Sequence, residues 1–314
     1  MRFGSPGPLP DANVVALPRV DVSIIIVSYR GRDFLRRCLA SVYEHVRGLE
    51  FEVVVVDNAS RDGTPEMVEA EFPQAKLARR SRNGGFARGV NEGIAAAQGE
   101  TFLLLNPDSE LTDNAVLPML AYLREQPDIG ILAPKLLDAD GSLQLSCRGF
   151  PGFQTALFNR YSLFTRLRPS NPLSSRYLMT NFDHAAIAEV DWISAACWLL
   201  PRHAYETVGP LDEGYFWSIE DVDYCQRTHR AGLRVVYFPE VAIIHHIGAS
   251  SSTAASRTII ARHRGMWRYY RAYLRPRGRI AASAVDVAVA GGIVARGATQ
   301  LAANHLRRLR RAPP

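Results

Sequence analysis

The chain has 314 residues, 47% apolar and 22% charged, enough to bury a sizeable core in one large α/β unit with an appendage. Its four cysteines (Cys38, Cys147, Cys197, Cys225) form no CxxC pair, which argues against a zinc site or disulfide framework and suits a reducing compartment. Thirteen arginines and a single acid, Asp286, follow Glu240, so that end carries +12, and the formal +6 of the whole leaves −6 for residues 1–240; a basic end on an acidic body points to an anionic surface.

Residues 1–20 hold four prolines and no apolar h-region, and read as a loose tail with no signal for export. VSIIIVSY (22–29) is a β-branched run expected of a strand buried on both faces. DFLRRCLASVYEH (33–45) has helical spacing, and FEVVVVDNAS (51–60) is a second buried strand with a polar end. DGTPEMVEAEF begins a helix with Thr64 as N-cap and Pro65 at the first helical position. AKLARR, GGFARGVNEGIAAAQG and TFLLLNPD follow as strand, helix and strand. This βαβαβαβ alternation specifies a parallel sheet with helices on both faces. A further helix and strand span about 112–150, and 149–185 reads as a long, partly ordered excursion. VDWISAACWLL (190–200), LRVVYFP (233–239) and VAIIHHIG (241–248) are strand-like, and a helix ends at Gly232.

Ligands of such sheets bind beyond the carboxyl ends of the strands. Those ends offer Ser28 and Tyr29, Asp57 and Asn58, Asn83, and Asn106 with Asp108 to one rim. The common nucleotide motifs fail here: SYRGRDF after the first strand is no GxGxxG, and a P-loop is absent.

Together, VSIIIVSYRGRDFLRRCLASV, FEVVVVDNASRDGT, NGGFARGVNEGI, LLLNPDSEL and LDEGYFWSIEDVDYCQRTHRAGLRVVYFPEVAIIHHIGASS resemble the inverting glycosyltransferases of family 2. The resemblance covers roughly residues 20–275 and is greatest to bacterial rhamnosyltransferases that use dTDP-L-rhamnose. It implies a GT-A fold: an α/β, mostly parallel Rossmann-like sheet with flanking helices, over 21–255. Residues 21–135 would be the nucleotide-binding half and 136–255 the acceptor-binding half.

The resemblance implies roles residue by residue. Val27, Ser28 and Tyr29 are where the family holds the base. Asp57 offers a carboxylate to a base N–H or ribose hydroxyl, or closes an Asx turn. Asn83, Gly85, Phe86 and Asn91 match the family's N-x-G-F-x-x-x-x-N, with Phe86 in the core, and Arg88 is a phosphate contact or a solvated helix residue. Asn106-Pro107-Asp108 stands at the D-x-D metal motif, with Asp108 as ligand to Mg²⁺ or Mn²⁺ and Asn106 a departure that weakens the site. Asp221 is the expected general base, with Glu220 as the other candidate, Asp223 as structure or acceptor contact, and Ser218 as the N-cap of their helix. Strand alternation lets one of His245 and His246 face the site, and His246 is selected as a metal contact. Trp192 lines the sugar pocket or sits in the core.

Arginines interleaved with Trp267, Tyr269, Tyr270 and Tyr273 precede an alanine-rich stretch (280–295) that is short of the ~20 residues needed to span a bilayer. This composition over 256–314 predicts amphipathic helices on an anionic membrane surface and no nucleic-acid role. The expected protein is cytoplasmic, peripheral on the inner face of the membrane. It would move a sugar, L-rhamnose first, from a nucleotide-sugar donor to a cell-envelope glycan acceptor, polyprenyl-linked if the membrane reading holds. The rivals are another donor, such as UDP-galactofuranose or UDP-GlcNAc, and an inactive scaffold subunit.

Overall fold

The β-branched run at 22–28 has no polar face to expose, and it becomes the middle of a sheet covered on both sides. A computed structural model describes residues 20–152, 177, 179, 182–246 and 255–311. The tail expected over 1–20 and most of the 149–185 excursion lie outside the described residues. β1 (Val22–Ser28) pairs in parallel with β2 (Phe51–Asp57) and with β4 (Thr101–Leu105), and β3 (Lys76–Arg79) extends the sheet beyond β2. Helices α1 (Arg32–His45), α2 (Thr64–Glu71) and α3 (Phe86–Ala95) make the crossovers. Gly63, and not Thr64, is the N-cap of α2. Thr64 turns its hydroxyl (2.5 Å) and its N–H (3.3 Å) to Asp62 Oδ1 instead.

The second half adds β5 (Ser109–Leu111), α4 (Val116–Glu125), β6 (Ile129–Leu137), β7 (Leu143–Gln144), β8 (Cys147–Arg148), β9 (Ala188–Glu189), β10 (Trp192–Ile193), β11 (Cys197–Pro201), α5 (Arg202–Val208), α6 (Glu220–Arg230) and β12 (Arg234–His245). The strand order is β3-β2-β1-β4-β11-β6-β12-β5, and β11 runs antiparallel to both β4 and β6. The sheet is therefore parallel in its first half and mixed in its second. One face packs α1, α2 and α4 through Leu35, Leu39, Met67 and Leu120; the other packs α3 and α6 through Val90, Ile94 and Tyr224, around the buried Trp198.

The segments 233–239 and 241–248, expected as two strands, are one strand, β12, with an irregularity between Phe238 and Ala242. Pro239 lies in that break and has no N–H for the ladder. The break reverses the strand's parity: Val236 and Phe238 enter one core cluster, and Ile243 enters the same one.

After the sheet, α7 (Ala255–Tyr269) runs through a wide π turn (Tyr270–Leu274) and reverses into α8 (Arg279–Arg311), 33 residues. At 1.5 Å per residue α8 is about 50 Å long. It lies back on α7: Tyr270 donates to Asp286 Oδ1 at 2.8 Å, Arg275 Nη2 donates to Asp286 Oδ2 at 2.8 Å, and Asn304 donates to Ser256 Oγ at 3.1 Å. Among the described residues, no helix is long and apolar enough to cross a membrane.

Candidate functional site

The carboxyl ends of β1 and β2 are in register, Ser28 beside Asp57. Both are buried, and both leave an oxygen without a protein partner, Ser28 Oγ and Asp57 Oδ1. Asp57 Oδ2 accepts the Ser60 N–H at 2.9 Å, so the Asx turn forms with one oxygen while the other stays open. Buried polar atoms are seldom left unpaired without cause. Tyr29 is partly exposed beside them, with Arg30 over its ring at 5.4 Å. Val27 is buried in the core, where its side chain meets Gly89, so only its backbone is available at the rim.

The N-terminus of α3 is less open than its sequence suggests. Asn83 Oδ1 accepts the Gly85 N–H (2.9 Å), Asn58 Oδ1 accepts the Gly84 N–H (3.3 Å), and Phe216 O accepts the Phe86 N–H (3.1 Å). Gly85, with φ 91°, is required here, since a Cβ would lie 2.4 Å from Phe216 O. Arg88 pairs with Glu213 at 2.8 Å. Asn91 Nδ2 donates to Leu211 O, and Asn91 Oδ1 accepts the Leu211 N–H, both at 2.9 Å. Arg88 and Asn91, expected at the donor, are committed to the 211–213 loop because their helix face packs there. Asn83 and Gly85 likewise serve the turn.

β4 stops at Leu105, and Asn106-Pro107-Asp108 turns the chain into β5, with the Ser109 N–H donated to Asn106 O at 3.1 Å. The imidazole that faces this turn belongs to His245: its Nε2 lies 3.4 Å from the Asn106 amide nitrogen and 3.5 Å from Asp108 Oδ1. His246, the expected contact, points the other way and meets Glu110 Oε1 at 2.8 Å. The parity reversal in β12 is the physical reason, and no simple alternation count reveals it.

Gln144 completes the arrangement. Its Nε2 donates to Asp138 Oδ1 (2.8 Å) and to His245 O (3.1 Å), which turns its Oε1 to His245 Nδ1 at 2.7 Å. Nδ1 therefore carries a proton, and Nε2 is the nitrogen turned toward Asp108 and Asn106. Carboxylate, amide and imidazole gathered at one turn are donors that suit Mn²⁺ or Mg²⁺. Among the described residues no three His, Cys, Asp or Glu side chains gather to hold an ion, so a cation here would take its remaining ligands from phosphate oxygens and water.

Across the loop from this turn lies the acidic pair at the start of α6. Ala196 O accepts the Asn106 N–H at 2.9 Å, and the preceding residue, Ala195, aims its N–H at the Asp221 carboxylate. One peptide step thus joins the two. Burial raises the pKa of both Glu220 and Asp221; Glu220 is pushed further by the Asp221 charge, whereas backbone N–H groups from Val222 and Ala195 favour ionised Asp221. Asp221 is thus the member that ionises first. Glu220 Oε2 is buried with no partner. Ser218 does not cap α6: the residue before the helix is Ile219, in the left-handed region at φ 77°. Asp223 is buried among Tyr215, Arg227 and Tyr273. Trp192 spends its indole N–H on Gly149 O at 2.8 Å and packs near Tyr215 and Val222, leaving only ring surface to a ligand. Residues 247–254, in the expected motif, lie outside the described residues.

The sequence pattern described as Glycosyl transferase family 2 matches residues 23–145. The chain is similar to the N-acetylglucosaminyl-diphospho-decaprenol L-rhamnosyltransferase of Mycobacterium tuberculosis, 28% identical over 255 residues, covering 78% of this chain and 82% of that protein. It superposes on the mannosyltransferase PcManGT from Pyrobaculum calidifontis in complex with GDP-Man and Mn²⁺, with TM-score 0.56 and 18% identity over 93% of this chain and 81% of that one. GalNAc-T7 with UDP, GalNAc and Mn²⁺ gives TM-score 0.56 and 18% identity over 73% and 43%. The fold they share is GT-A.

Proposed function

We propose, from the premise that residues 23–145 are a glycosyltransferase family 2 domain on a GT-A fold, that this protein transfers L-rhamnose from dTDP-L-rhamnose, with inversion, to a polyprenyl-linked glycan acceptor of the cell envelope. The observation that carries the reading is the step Ala195–Ala196, where the Ala195 N–H faces the Asp221 carboxylate and the Ala196 carbonyl accepts the Asn106 N–H of the Asn106–Asp108 turn. The similarity to a mycobacterial rhamnosyltransferase supports the donor sugar and the kind of acceptor.

Ser28 Oγ and Asp57 Oδ1 receive the nucleoside, replacing with donor contacts the partners they lack. Asp108 and His245, with Asn106 beside them and Gln144 fixing the imidazole, would hold Mg²⁺ or Mn²⁺. When bound, the cation supplies positive charge to the departing nucleotide diphosphate. Asp221 accepts the proton of the acceptor hydroxyl as that oxygen bonds to the anomeric carbon. The bond from that carbon to the diphosphate oxygen breaks on the opposite face, which inverts the centre. Glu220, kept neutral by burial and by the Asp221 charge, leaves Asp221 the sole charged acid of the pair.

The cytoplasmic membrane face is the proposed location. α8 turns Ala284, Val287, Ala288, Gly291, Val294 and Ala295 outward, with Val287 75% and Val294 69% exposed, between two arginine clusters. An apolar stripe flanked by arginine fits an anionic bilayer surface.

The test is thermal stabilisation by a panel of nucleotide sugars with Mg²⁺ or Mn²⁺, followed by transfer to a polyprenyl diphosphate-linked GlcNAc. Stabilisation and transfer with dTDP-L-rhamnose are expected. Preference for a UDP-sugar would overturn the donor assignment, and no cation-dependent stabilisation by any nucleotide sugar would overturn the enzyme reading.

A further inference from the structure

The arm formed by α7 and its π turn is bound to the loop and helix that carry Glu220 and Asp221. Tyr273 donates to Asp223 Oδ1 at 2.7 Å, Tyr215 donates to the same oxygen at 3.3 Å, and Arg227 Nε donates to Oδ2 at 2.9 Å. Arg268 grips Asp212 with two hydrogen bonds of 2.7 and 2.8 Å. Arg262 lies 5.0 Å over the Trp217 ring, and Arg230, from α6, 4.6 Å over the Tyr273 ring. Tyr269 packs its ring, tilted by 39°, against Tyr273 at 4.7 Å and joins Tyr215 and Val222 in a small core of its own. The π turn widens the helix here, a distortion often found at working sites.

What this contact surrounds is strained. Ser218 and Ile219 have φ of 69° and 77°, two successive non-glycine residues in the left-handed region, the second β-branched. No side chain caps the helix that follows. Such backbone persists only where its surroundings over-determine it. Phe216 is fixed from the α3 side through the Phe86 N–H. From the arm, Gly265 closes on the turn: a Cβ there would lie 3.2 Å from Ser218 O and 3.4 Å from both Ile219 Cγ1 and Tyr215 Cδ1. Glu220 and Asp221 come next in the chain, so relaxation of the turn would swing both carboxyls.

We infer that the C-terminal arm is a working part of the active site, with Tyr273 and Gly265 as positioning residues that aim Asp221 through Asp223 and the Ser218–Ile219 turn. The inference rests on the role proposed above for Asp221. It gives the basic C-terminal region a second duty beside membrane contact.

Two substitutions test it in the full-length protein. Tyr273→Phe keeps the ring against Tyr269 and removes only the hydroxyl. Gly265→Ala adds one methyl group against Ser218 O and leaves Asp223 untouched. Each is expected to lower kcat about 10–100-fold, the scale of a small misplacement of a reacting group, with donor KM held within about twofold. Amide exchange across 214–224 is expected to rise about tenfold while the global melting temperature moves little. Wild-type kcat in both variants overturns the inference. So does a fall in kcat matched by a comparable rise in donor KM and a general loss of stability, which marks a fold defect. If wild type transfers no sugar from any donor, the proposed function fails and the exchange data decide alone: unchanged exchange at 214–224 in both variants overturns the arm's role.

Discussion

Two helices begin on either side of Phe216, and both are entered through a left-handed residue, Gly85 before α3 and Ile219 before α6. At α3 the residue is glycine, and the N–H groups of Gly84, Gly85 and Phe86 are all taken by protein oxygens. At α6 the residue is isoleucine, and the helix's first residue holds a buried carboxyl oxygen with no partner. The first junction is relaxed and complete, as scaffold should be. The second stores strain and an unsatisfied acid, which supports its proposed place beside the substrate. Two motifs of similar polarity thus do different work.

The largest effect expected from this contrast is at Asp221. Asp221→Asn should lower kcat about 10²–10⁴-fold with donor Kd unchanged, whereas Glu220→Gln should retain most turnover. Burial lifts the Asp221 carboxyl above the ordinary 3.8, so kcat should fall with decreasing pH through a limb well above that value. The sign for stability is opposite: an acid whose folded pKa is raised costs stability once ionised, so Asp221→Asn should keep or raise the melting temperature at neutral pH. Normal turnover of Asp221→Asn beside a dead Glu220→Gln would reverse the assignment.

The scaffold junction should break differently. Gly85→Ala forces a Cβ toward Phe216 O in a left-handed backbone and should destabilise by about 1–3 kcal/mol, read as a lower melting temperature. Asn91→Ala removes the bracket to Leu211 and should cost about 1–2 kcal/mol with donor Kd unchanged in the folded protein. Arg88→Ala breaks one exposed ion pair and should alter stability by less than about 1 kcal/mol. A large loss of donor affinity in Arg88→Ala or Asn91→Ala would return those residues to the binding site.

The parallel half of the sheet was legible because continuous β-branched runs and helical spacing leave few alternatives, and the strand ends then locate the rim. Asp57, Asp108 and Asp221 were legible as candidates from residue type and motif, and their chemistry is what the proposal adds. What escaped depends on contacts remote in sequence. Asn91 looks like a ligand until Leu211 is seen beside it. His245 could be chosen over His246 only by knowing that the β12 break shifts parity. Gln144 matters only because β7 sets it against His245. Short β5 and the antiparallel β11 carry no periodicity strong enough to announce their direction.

The central claim is that the cation and diphosphate sit at the Asn106–Asp108 turn with His245. The most direct test is Mn²⁺-dependent affinity for dTDP, measured by calorimetry on wild type, Asp108→Ala, His245→Ala and His246→Ala. The account predicts that Asp108→Ala abolishes the Mn²⁺-dependent gain and that His245→Ala weakens it about 10–100-fold, while His246→Ala leaves it near wild type. Equal affinity in wild type and Asp108→Ala, or a loss in His246→Ala with His245→Ala unaffected, would contradict it.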